Sequence, residues 1–156
     1  MGNLWLMIGC PASGKTTYAK KLMNEKIENA VYISRDEIRF SMLKPNESYF
    51  AKETAVYNEF CKQVNDALAN NAHVIADATF LTPGSRKKFL KKITNKPNAL
   101  YAIVMNTDVE TCIKRNSGRV GLARVPDDAI YRMYASMVKP VAYEGFDKVW
   151  EIATNE

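Results

Sequence analysis

The first residues whose types and spacing could bind a chemical group are Gly9-x-x-x-x-Gly14-Lys15-Thr16. A polyphosphate needs several hydrogen-bond donors that converge on it, and a glycine-containing loop supplies backbone amides where side chains would be in the way. A helix that follows the loop adds its positive N-terminal end. In such a loop the Lys15 ammonium reaches the β- and γ-phosphates, and the Thr16 hydroxyl is a ligand of Mg²⁺. The spacing therefore predicts a phosphate-binding loop (P-loop) that holds a nucleoside triphosphate with Mg²⁺.

The residues between the two glycines need no particular side chains, because the backbone forms the cradle. We therefore expect nucleotide contacts from the whole loop and the start of the helix, namely Gly9, Cys10, Pro11, Ala12, Ser13, Gly14, Lys15, Thr16 and Thr17. The Cys10 side chain is interpreted as a small buried thiol. The stretch NKPN (95–98) is similar to a guanine-reading motif, but it ends in Asn98 and an apolar run follows it instead of preceding it. ATP is therefore the expected nucleotide.

Transfer of a phosphate to a hydroxyl requires a group that accepts the hydroxyl proton. The only histidine, His73, begins a predicted strand, at the end away from the crevice where open α/β sheets bind ligands. Asp36 and Asp77 each follow a predicted strand and are expected at that crevice. Asp77 suits a carboxylate that holds Mg²⁺ through a water, and Asp36 suits the base, because Arg39 lies one helical turn further on. Spacing alone leaves structural roles open, a helix N-cap for Asp36 and contacts to turn amides for Asp77.

Residues 114–126, KRNSGRVGLARVP, form an arginine-rich segment between two predicted helices. It carries Arg115, Arg119 and Arg124 around two glycines, at the place where P-loop kinases close a lid over ATP. An arginine that arrives with a lid stabilises charge on the transferring phosphate and excludes water. A plain surface loop with solvated arginines is the alternative interpretation.

Two further groups of residues leave alternatives open. Tyr49 and Phe50 lie in a polar stretch and suit either stacking on a terminal base or closure of the core. Met133, Tyr134 and Met137 are predicted to face the core. Five cations share one predicted helix, and we favour a solvated face over contact with a nucleic-acid phosphate for Arg86, Lys87, Lys88, Lys91 and Lys92.

The elements that position these residues alternate along the chain. Apolar runs predict five strands, at 4–8, 30–34, 73–79, 99–106 and 148–152. Helical spacing and capping residues predict six helices, at 16–23, 35–42, 54–68, 82–93, 107–115 and 126–138. Thr82 with Pro83 is the expected start of the fourth helix, and Thr107 with Glu110 is the expected capping box of the fifth.

Continuously apolar strands separated by helices indicate parallel strands that are covered on both faces. The predicted fold class is therefore α/β, a three-layer α/β/α sandwich with a parallel sheet, as in the P-loop kinase fold. No repeats, low-complexity tracts or linkers interrupt the 156 residues. We expect one domain over residues 1–156, with a lid at about 114–126.

The composition suits a soluble globular protein, with 47% hydrophobic and 25% charged residues. No apolar run approaches the ~18 residues that span a membrane, so no membrane partner is expected. Three widely spaced cysteines argue against a disulfide framework or a zinc site and favour the reducing cytosol: Cys10, Cys61 and Cys112. The formal charge of +5 mildly favours polyanionic partners.

Four stretches of the sequence resemble the kinase domain of bacteriophage-type polynucleotide 5′-hydroxyl kinases. They span most of the chain in the same order, as IGCPASGKTT (8–17), SRDEIRFSML (34–43), VIADATF (74–80), and KRNSGR (114–119) with VPDDAIYRMYASM (125–137). The chain departs from the family pattern at Ala78-Thr79 and contains no DxDxT phosphatase motif. The resemblance therefore implies a kinase without the phosphatase domain.

This resemblance implies transfer of the γ-phosphate of ATP, with Mg²⁺, to the 5′-hydroxyl end of DNA or RNA. The setting would be repair of nucleic-acid ends in the cytoplasm of a bacterial or phage-infected cell. By position, Asp36 would be the general base and Arg39 would engage the acceptor and transferring phosphates. The other implied roles are phosphate and metal contacts by Lys15 and Thr16, an active-site aspartate at Asp77, and lid cations at Arg119 and Arg115.

Two other functions remain open at this point. One is a P-loop kinase of a small molecule or nucleotide sugar, as in zeta-toxin-like proteins, which differs only in its acceptor pocket. The other is a non-catalytic ATP-binding switch module, which would need a water-positioning residue and an effector surface that we do not identify. Arg39 and the positive charge favour a phosphate-bearing polymer, and the oligomeric state is not predicted.

Overall fold

In the computed structural model, which describes residues 2–153, five strands form one parallel sheet. The strands are β1 (Leu4–Ile8), β2 (Ala30–Ser34), β3 (His73–Asp77), β4 (Leu100–Met105) and β5 (Lys148–Ile152). Their order across the sheet is β2-β3-β1-β4-β5, and all four neighbouring pairs are parallel. The predicted α/β fold with a parallel sheet is therefore confirmed.

Helices connect successive strands, as parallel pairing requires. They are α1 (Lys15–Glu25), α2 (Arg35–Met42), α3 (Glu53–Ala69), α4 (Pro83–Lys92), α5 (Val109–Ser117) and α6 (Asp127–Ser136). Single turns of 3-10 helix lie at Gly121–Ala123 and Ala142–Glu144. None of the helices within residues 2–153 has the length and apolar character to cross a membrane.

The alternation of side chains along β1 fills both faces of the sheet. Leu6 packs in a buried cluster with Phe60 of α3 and Phe89 of α4. Met7 points to the opposite face and packs in a second cluster with Ala19 of α1. The sheet is thus covered on both sides, which confirms the predicted three layers.

The strand order brings the loops that follow β1, β2 and β3 to one edge of the sheet. In the parallel register Asp77 pairs with both Met7 and Ser34, so the ends of the three strands are level. His73 lies at the opposite edge, where its Nδ1 accepts a hydrogen bond of 3.0 Å from the Asn3 amide. This is the structural role that its position predicts.

The start of α5 differs from the prediction. Asp108, not Thr107, caps the helix, because its side chain accepts a 2.8 Å hydrogen bond from the Thr111 amide. The buried Thr107 hydroxyl instead donates to the Ser13 carbonyl at 2.8 Å. The capping box of Thr107 and Glu110 is therefore wrong, whereas the predicted cap of α4 by Thr82 is confirmed and is reciprocated by Ser85.

The cations of helix α4 also differ from the prediction. Arg86 is fully buried and does not belong to a solvated or phosphate-binding face. Its guanidinium binds both carboxylate oxygens of Glu144 at 2.7 and 3.1 Å, and it donates to the carbonyls of Phe80 and Val138. This arginine fastens the segment after β3 to the C-terminal part of the chain. Tyr134, predicted to face the core, is 39% exposed.

Candidate active site

The loop between β1 and α1 has the backbone conformation of an anion-binding cradle. Ala12 and Gly14 have φ angles of 64° and 99°, in the left-handed region. An alternation of left- and right-handed residues turns successive N–H groups toward one concave side. At Gly9 a Cβ atom would lie 2.7 Å from Ser13 Oγ and 3.1 Å from Met105 Cβ, so a larger residue would displace one of these neighbours.

Contacts from two other segments hold this loop in place. The Gly9 amide donates to the Thr79 carbonyl after β3 at 3.0 Å. Thr107, after β4, binds the Ser13 carbonyl, as described above. The loop is therefore built into the sheet edge before any ligand contributes, which reduces the ordering that binding requires.

Cys10 lies beneath the loop and is buried. Burial raises the pKa of its thiol to about 11, with a further contribution from the neighbouring Cys112. The thiol is therefore neutral at physiological pH, as expected of a buried packing residue.

The Lys15 ammonium lies over the mouth of the loop. Its Nζ donates to the carbonyls of Gly9 and Cys10, at 2.9 and 3.0 Å. These two contacts fix the position of a positive charge beside the inward-facing amides. The same residue lowers the pKa of the nearby Asp77 carboxyl, although the burial of that group outweighs it and the pKa is raised overall.

Thr16 and Asp77 form a compact set of oxygen ligands with Tyr32 of β2. The Tyr32 hydroxyl donates to Asp77 Oδ2 at 2.5 Å, and the Thr16 hydroxyl lies 3.3 Å from the same oxygen. Hydroxyl and carboxylate oxygens are the hard ligands that Mg²⁺ prefers. No cluster of three or more His, Cys, Asp or Glu residues occurs within 2–153. The donor set thus fits a Mg²⁺ ion that also takes phosphate oxygens and water as ligands.

The carboxylate of Asp36 lies in the first turn of α2, whose cap is Ser34. The Ser34 hydroxyl accepts a hydrogen bond of 3.2 Å from the Glu37 amide, so the alternative role of Asp36 as the helix N-cap is wrong. Asp36 forms an ion pair with Arg39, which is 5% exposed. The Arg39 guanidinium also binds Glu53 Oε1, at 2.7 Å.

Tyr49 completes this network. Its hydroxyl donates to Asp36 Oδ1 at 2.6 Å and accepts from Arg39 at 2.8 Å. Burial and the Asp36 charge raise the pKa of Tyr49, so the phenol stays a donor. Asp36 Oδ2 makes no hydrogen bond to any residue of the described part of the chain, and the side chain is 41% exposed. One carboxylate oxygen is held by Tyr49 and Arg39, and the other is left without a partner among the described residues.

Phe50, the neighbour of Tyr49, lies beside the same network. Its ring packs edge-on against the Tyr49 ring at 4.7 Å, and 41% of the residue is exposed. It lines the cleft in front of Asp36. The two candidates for base stacking therefore differ. The hydroxyl of Tyr49 binds Asp36 and Arg39, and of the two rings that of Phe50 is the one exposed for stacking.

A single cleft, termed the central cleft, brings most of the predicted site residues together. It is lined by the loop and by Lys15, Thr16, Asp36, Arg39, Asp77 and Arg119. Pro11, Ala12, Gly14 and Thr17 also line it, whereas Gly9, Cys10 and Ser13 form the layer beneath. The phosphate-binding loop, a possible metal site and an accessible carboxylate thus share one space.

The arginine-rich segment is closed at its base by Asn116. The fully buried side chain of Asn116 donates to the Val125 carbonyl at 2.6 Å and accepts from the Val125 amide at 3.1 Å. Arg119 lines the central cleft, and with Arg115 it also lines a second cleft over α1, termed the lid-side cleft. Arg124 lines neither of these two clefts and borders a separate hollow.

Local spacing in the sequence does not identify Tyr32, Glu53, Asn116 or the Asp36-binding role of Tyr49. The partners of these residues lie 9 to 45 positions away along the chain, beyond one helical turn, so local spacing carries no signal for these contacts. The one usable hint was that Tyr49 lies in a polar stretch, where an aromatic residue is unexpected.

Comparisons with known proteins concern the family and the fold of the chain. The family described as AAA domain matches residues 4–140. The comparison with curated proteins found no match.

Among solved structures, one similar chain belongs to the Pnkp1/Rnl/Hen1 RNA repair complex, with 23% identity and a TM-score of 0.72. The match covers 86% of this chain but 43% of that one, so this chain spans less than half of the other's length. A putative kinase from Chloroflexus aurantiacus has a TM-score of 0.77 at 14% identity, covering 99% and 89% of the two chains. A sugar kinase from Janibacter has a TM-score of 0.65 at 14% identity, covering 99% and 85%. These likenesses show a P-loop kinase-like fold.

Proposed function

The chain belongs to the AAA domain family, and from its P-loop kinase-like fold we propose that it transfers the γ-phosphate of ATP to the 5′-hydroxyl end of DNA or RNA. The observation that carries this proposal is the position of Asp36. Its side chain is 41% exposed and lines the same cleft as Lys15, Thr16 and Asp77. An acceptor hydroxyl and a donor phosphate can therefore meet there.

On the donor side, the amides of the loop and the Lys15 ammonium bind the β- and γ-phosphates. Thr16 and Asp77 are the residues that would hold Mg²⁺, and Tyr32 keeps the Asp77 carboxylate oriented. Mg²⁺, when bound, neutralises the negative charge on the phosphates. Arg115 and Arg119 line the lid-side cleft, where the rest of the nucleotide would enter.

On the acceptor side, Asp36 Oδ2 accepts the proton of the 5′-hydroxyl while the hydroxyl oxygen attacks the γ-phosphorus. The new O–P bond forms while the bond from the γ-phosphorus to the bridging oxygen breaks, and ADP leaves with that electron pair. Arg39 holds the other carboxylate oxygen and lies where it can contact a phosphate of the acceptor. Its two anionic partners and its burial keep the guanidinium fixed, which lowers the reorganisation needed during transfer.

We propose that the arginine-rich segment is the lid. The Asn116–Val125 hydrogen bonds close the base of the segment, whereas its tip is solvated and Val120 is 83% exposed. Arg119 lies next to Val120 and lines the central cleft, so a closed segment would hold its guanidinium beside the transferring phosphate. Closure would stabilise charge on the transferring phosphate and exclude water.

A polynucleotide acceptor is supported by Arg39, by the net charge and by the four stretches of sequence that resemble polynucleotide kinases. One similar solved chain is named as part of an RNA repair complex. The fold is also similar to that of a sugar kinase, and the same loop, base and lid would serve phosphorylation of a small hydroxyl compound. The acceptor is therefore the point that the experiment must decide.

The test is incubation with γ-labelled ATP, Mg²⁺ and 5′-hydroxyl DNA or RNA oligonucleotides, with free sugars and nucleosides as competing acceptors. We expect label on the oligonucleotide, and its loss in Lys15→Ala and Asp36→Ala. The matched control is Asp66→Ala, which removes an exposed carboxylate on α3. Label on a small hydroxyl compound and on no oligonucleotide would overturn the proposal.

A further inference from the structure

A second groove opens from the central cleft and runs between α3 and α4. It is termed the basic groove and is lined by Arg35, Tyr57, Ser85, Lys88 and Lys92, with neutral residues between them. Arg35, Glu53 and Thr79 line both spaces, so the groove adjoins the central cleft. Whatever enters the groove can therefore reach the neighbourhood of Asp36.

The cations of α4 separate into three groups in the structure. Arg86 is buried against Glu144 and is not accessible. Lys88 and Lys92, one helical turn apart, line the basic groove. Lys87 and Lys91 are exposed and line none of the clefts described here. The helix thus directs one specific pair of ammonium groups to the groove.

Within residues 2–153 the protein neutralises Arg35 through Glu53 but leaves the other two cations of the groove, Lys88 and Lys92, without an ion pair. Lys88 Nζ lies 5.0 Å from the centroid of the Tyr57 ring, and Arg35 Cζ lies 5.1 Å from the same centroid. Glu53 is the one acid that lines the groove, and it is bound to Arg35 and Arg39. Two neighbouring ammonium groups that lack a counterion favour an anionic ligand.

The neutral residues of the groove suit a phosphate backbone rather than a compact anion. Thr54, Asn58 and Ser85 add hydroxyl and amide donors along its length. Such groups commonly donate to phosphate oxygens of nucleic acids, in contacts that position the strand without reading its sequence. A groove that adjoins the cleft of the proposed base and carries two cations one helical turn apart matches a polymer of phosphates.

We propose that the basic groove binds the phosphodiester backbone of the acceptor strand beyond its 5′-terminal nucleotide, with Lys88 and Lys92 as the phosphate contacts. This inference rests on the proposed function. It gives the acceptor a direction, with the 5′-hydroxyl at Asp36 and the strand leaving between α3 and α4. The protein then favours acceptors of several nucleotides over a single nucleotide, and it does so independently of base sequence.

Binding is measured first, without ATP, by the fluorescence anisotropy of a 5′-hydroxyl oligonucleotide labelled at its 3′ end. Lys88→Ala/Lys92→Ala is compared with Lys87→Ala/Lys91→Ala, which removes the same charge from the same helix. We expect the first variant to raise Kd about tenfold or more and the second to change it less than about twofold. The slope of log Kd against log salt concentration should fall by about 1.4 in the first variant alone, from ~0.7 per single-strand phosphate contact. Equal effects of the two variants, or no effect of the first, would overturn the proposal that the basic groove binds the strand.

Acceptor length provides the second measurement. For the wild type, KM should fall from a nucleoside 3′-monophosphate to a tetranucleotide, and Lys88→Ala/Lys92→Ala should remove most of that difference. A length dependence that persists in this variant would contradict the inference. If phosphate transfer occurs and the Lys88→Ala/Lys92→Ala variant changes neither binding nor KM, strand binding by the groove is wrong but the proposed function stands. If the strand binds in a way that depends on these lysines but no phosphate is transferred, the proposed function is wrong while strand binding by the groove is supported.

Discussion

The hydroxyl of Tyr49 lies 2.6 Å from Oδ1 of Asp36, and the same hydroxyl accepts a hydrogen bond from Arg39. This arrangement fixes a carboxylate whose side chain is otherwise 41% exposed. An exposed Asp side chain rotates freely, whereas a base must point at its proton when the acceptor arrives. Tyr49 is therefore a positioning residue for the proposed base.

Removal of the Tyr49 hydroxyl should slow phosphate transfer without unfolding the protein. In Tyr49→Phe the ring and its packing on Phe50 remain, while Asp36 and Arg39 each lose a hydrogen bond. We expect kcat to fall about tenfold, the equivalent of ~1.4 kcal/mol, with KM for ATP unchanged. Steady-state kinetics check this, with Tyr143→Phe, at an 87% exposed site, as the control. An unchanged kcat would contradict the positioning role.

Arg119 should be required for transfer but not for folding. Arg119→Ala removes a cation that lines both the central and the lid-side clefts, and we expect kcat to fall about 100-fold or more. Arg124→Ala changes a similar arginine of the same segment that lines neither cleft, and we expect it to stay close to the wild type. A large fall in the thermal midpoint of Arg119→Ala, or equal losses of activity in both variants, would indicate a structural role.

Asn116 should matter for stability, because its side chain closes the base of the arginine-rich segment. In Asn116→Ala the amide and the carbonyl of Val125 both lose a buried partner. We expect the free energy of unfolding to fall by about 1–3 kcal/mol, measured by urea denaturation. Ser117→Ala, at the exposed neighbouring position, serves as the control. Equal unfolding free energies for Asn116→Ala and the wild type would show that the segment is held by other contacts.

The Arg86–Glu144 pair should make stability depend on pH in the acid range. Burial raises the pKa of Glu144, but the hydrogen bonds from Arg86 and the Val141 amide outweigh it, so the pKa is lowered from the ordinary 4.5. A carboxyl with a lowered pKa in the folded state stabilises the protein above its unfolded pKa, and this contribution disappears as the pH falls through the folded value.

We therefore expect Glu144→Gln to cost about 3 kcal/mol at neutral pH, because it leaves a buried guanidinium without its counter-charge. The difference from the wild type should shrink as the pH falls below 4.5, the ordinary value. Chemical denaturation at several pH values gives both numbers. A difference that stays constant across this range would show that the charge of Glu144 does not contribute.

The sequence predicts the framework of the fold closely, because each strand is an apolar run bounded by polar residues. β1 and β5 occupy the predicted residues 4–8 and 148–152. The edge of the sheet at which Asp36 and Asp77 meet also follows from the order of strands and helices, since parallel strands place their carboxyl ends together. The P-loop lies between β1 and α1, as its motif predicts.

Pairings between distant residues could not be predicted in the same way. Thr107 and Asp108 are both good caps, and only the contact of Thr107 with Ser13, 94 residues away, decides between them. Arg86 looked like its four basic neighbours because its partner Glu144 lies 58 residues further on. A single sequence shows which residues could form such contacts, but it does not show which of them lie close together in the fold.

The central claim is that Asp36 is the base that activates a 5′-hydroxyl. The most direct test is single-turnover transfer from saturating Mg²⁺-ATP to a 5′-hydroxyl oligonucleotide, comparing the wild type with Asp36→Asn, which keeps the shape of the side chain. We predict a fall in the transfer rate of about 100-fold or more, with ATP affinity unchanged. Transfer by Asp36→Asn at the wild-type rate would contradict the claim.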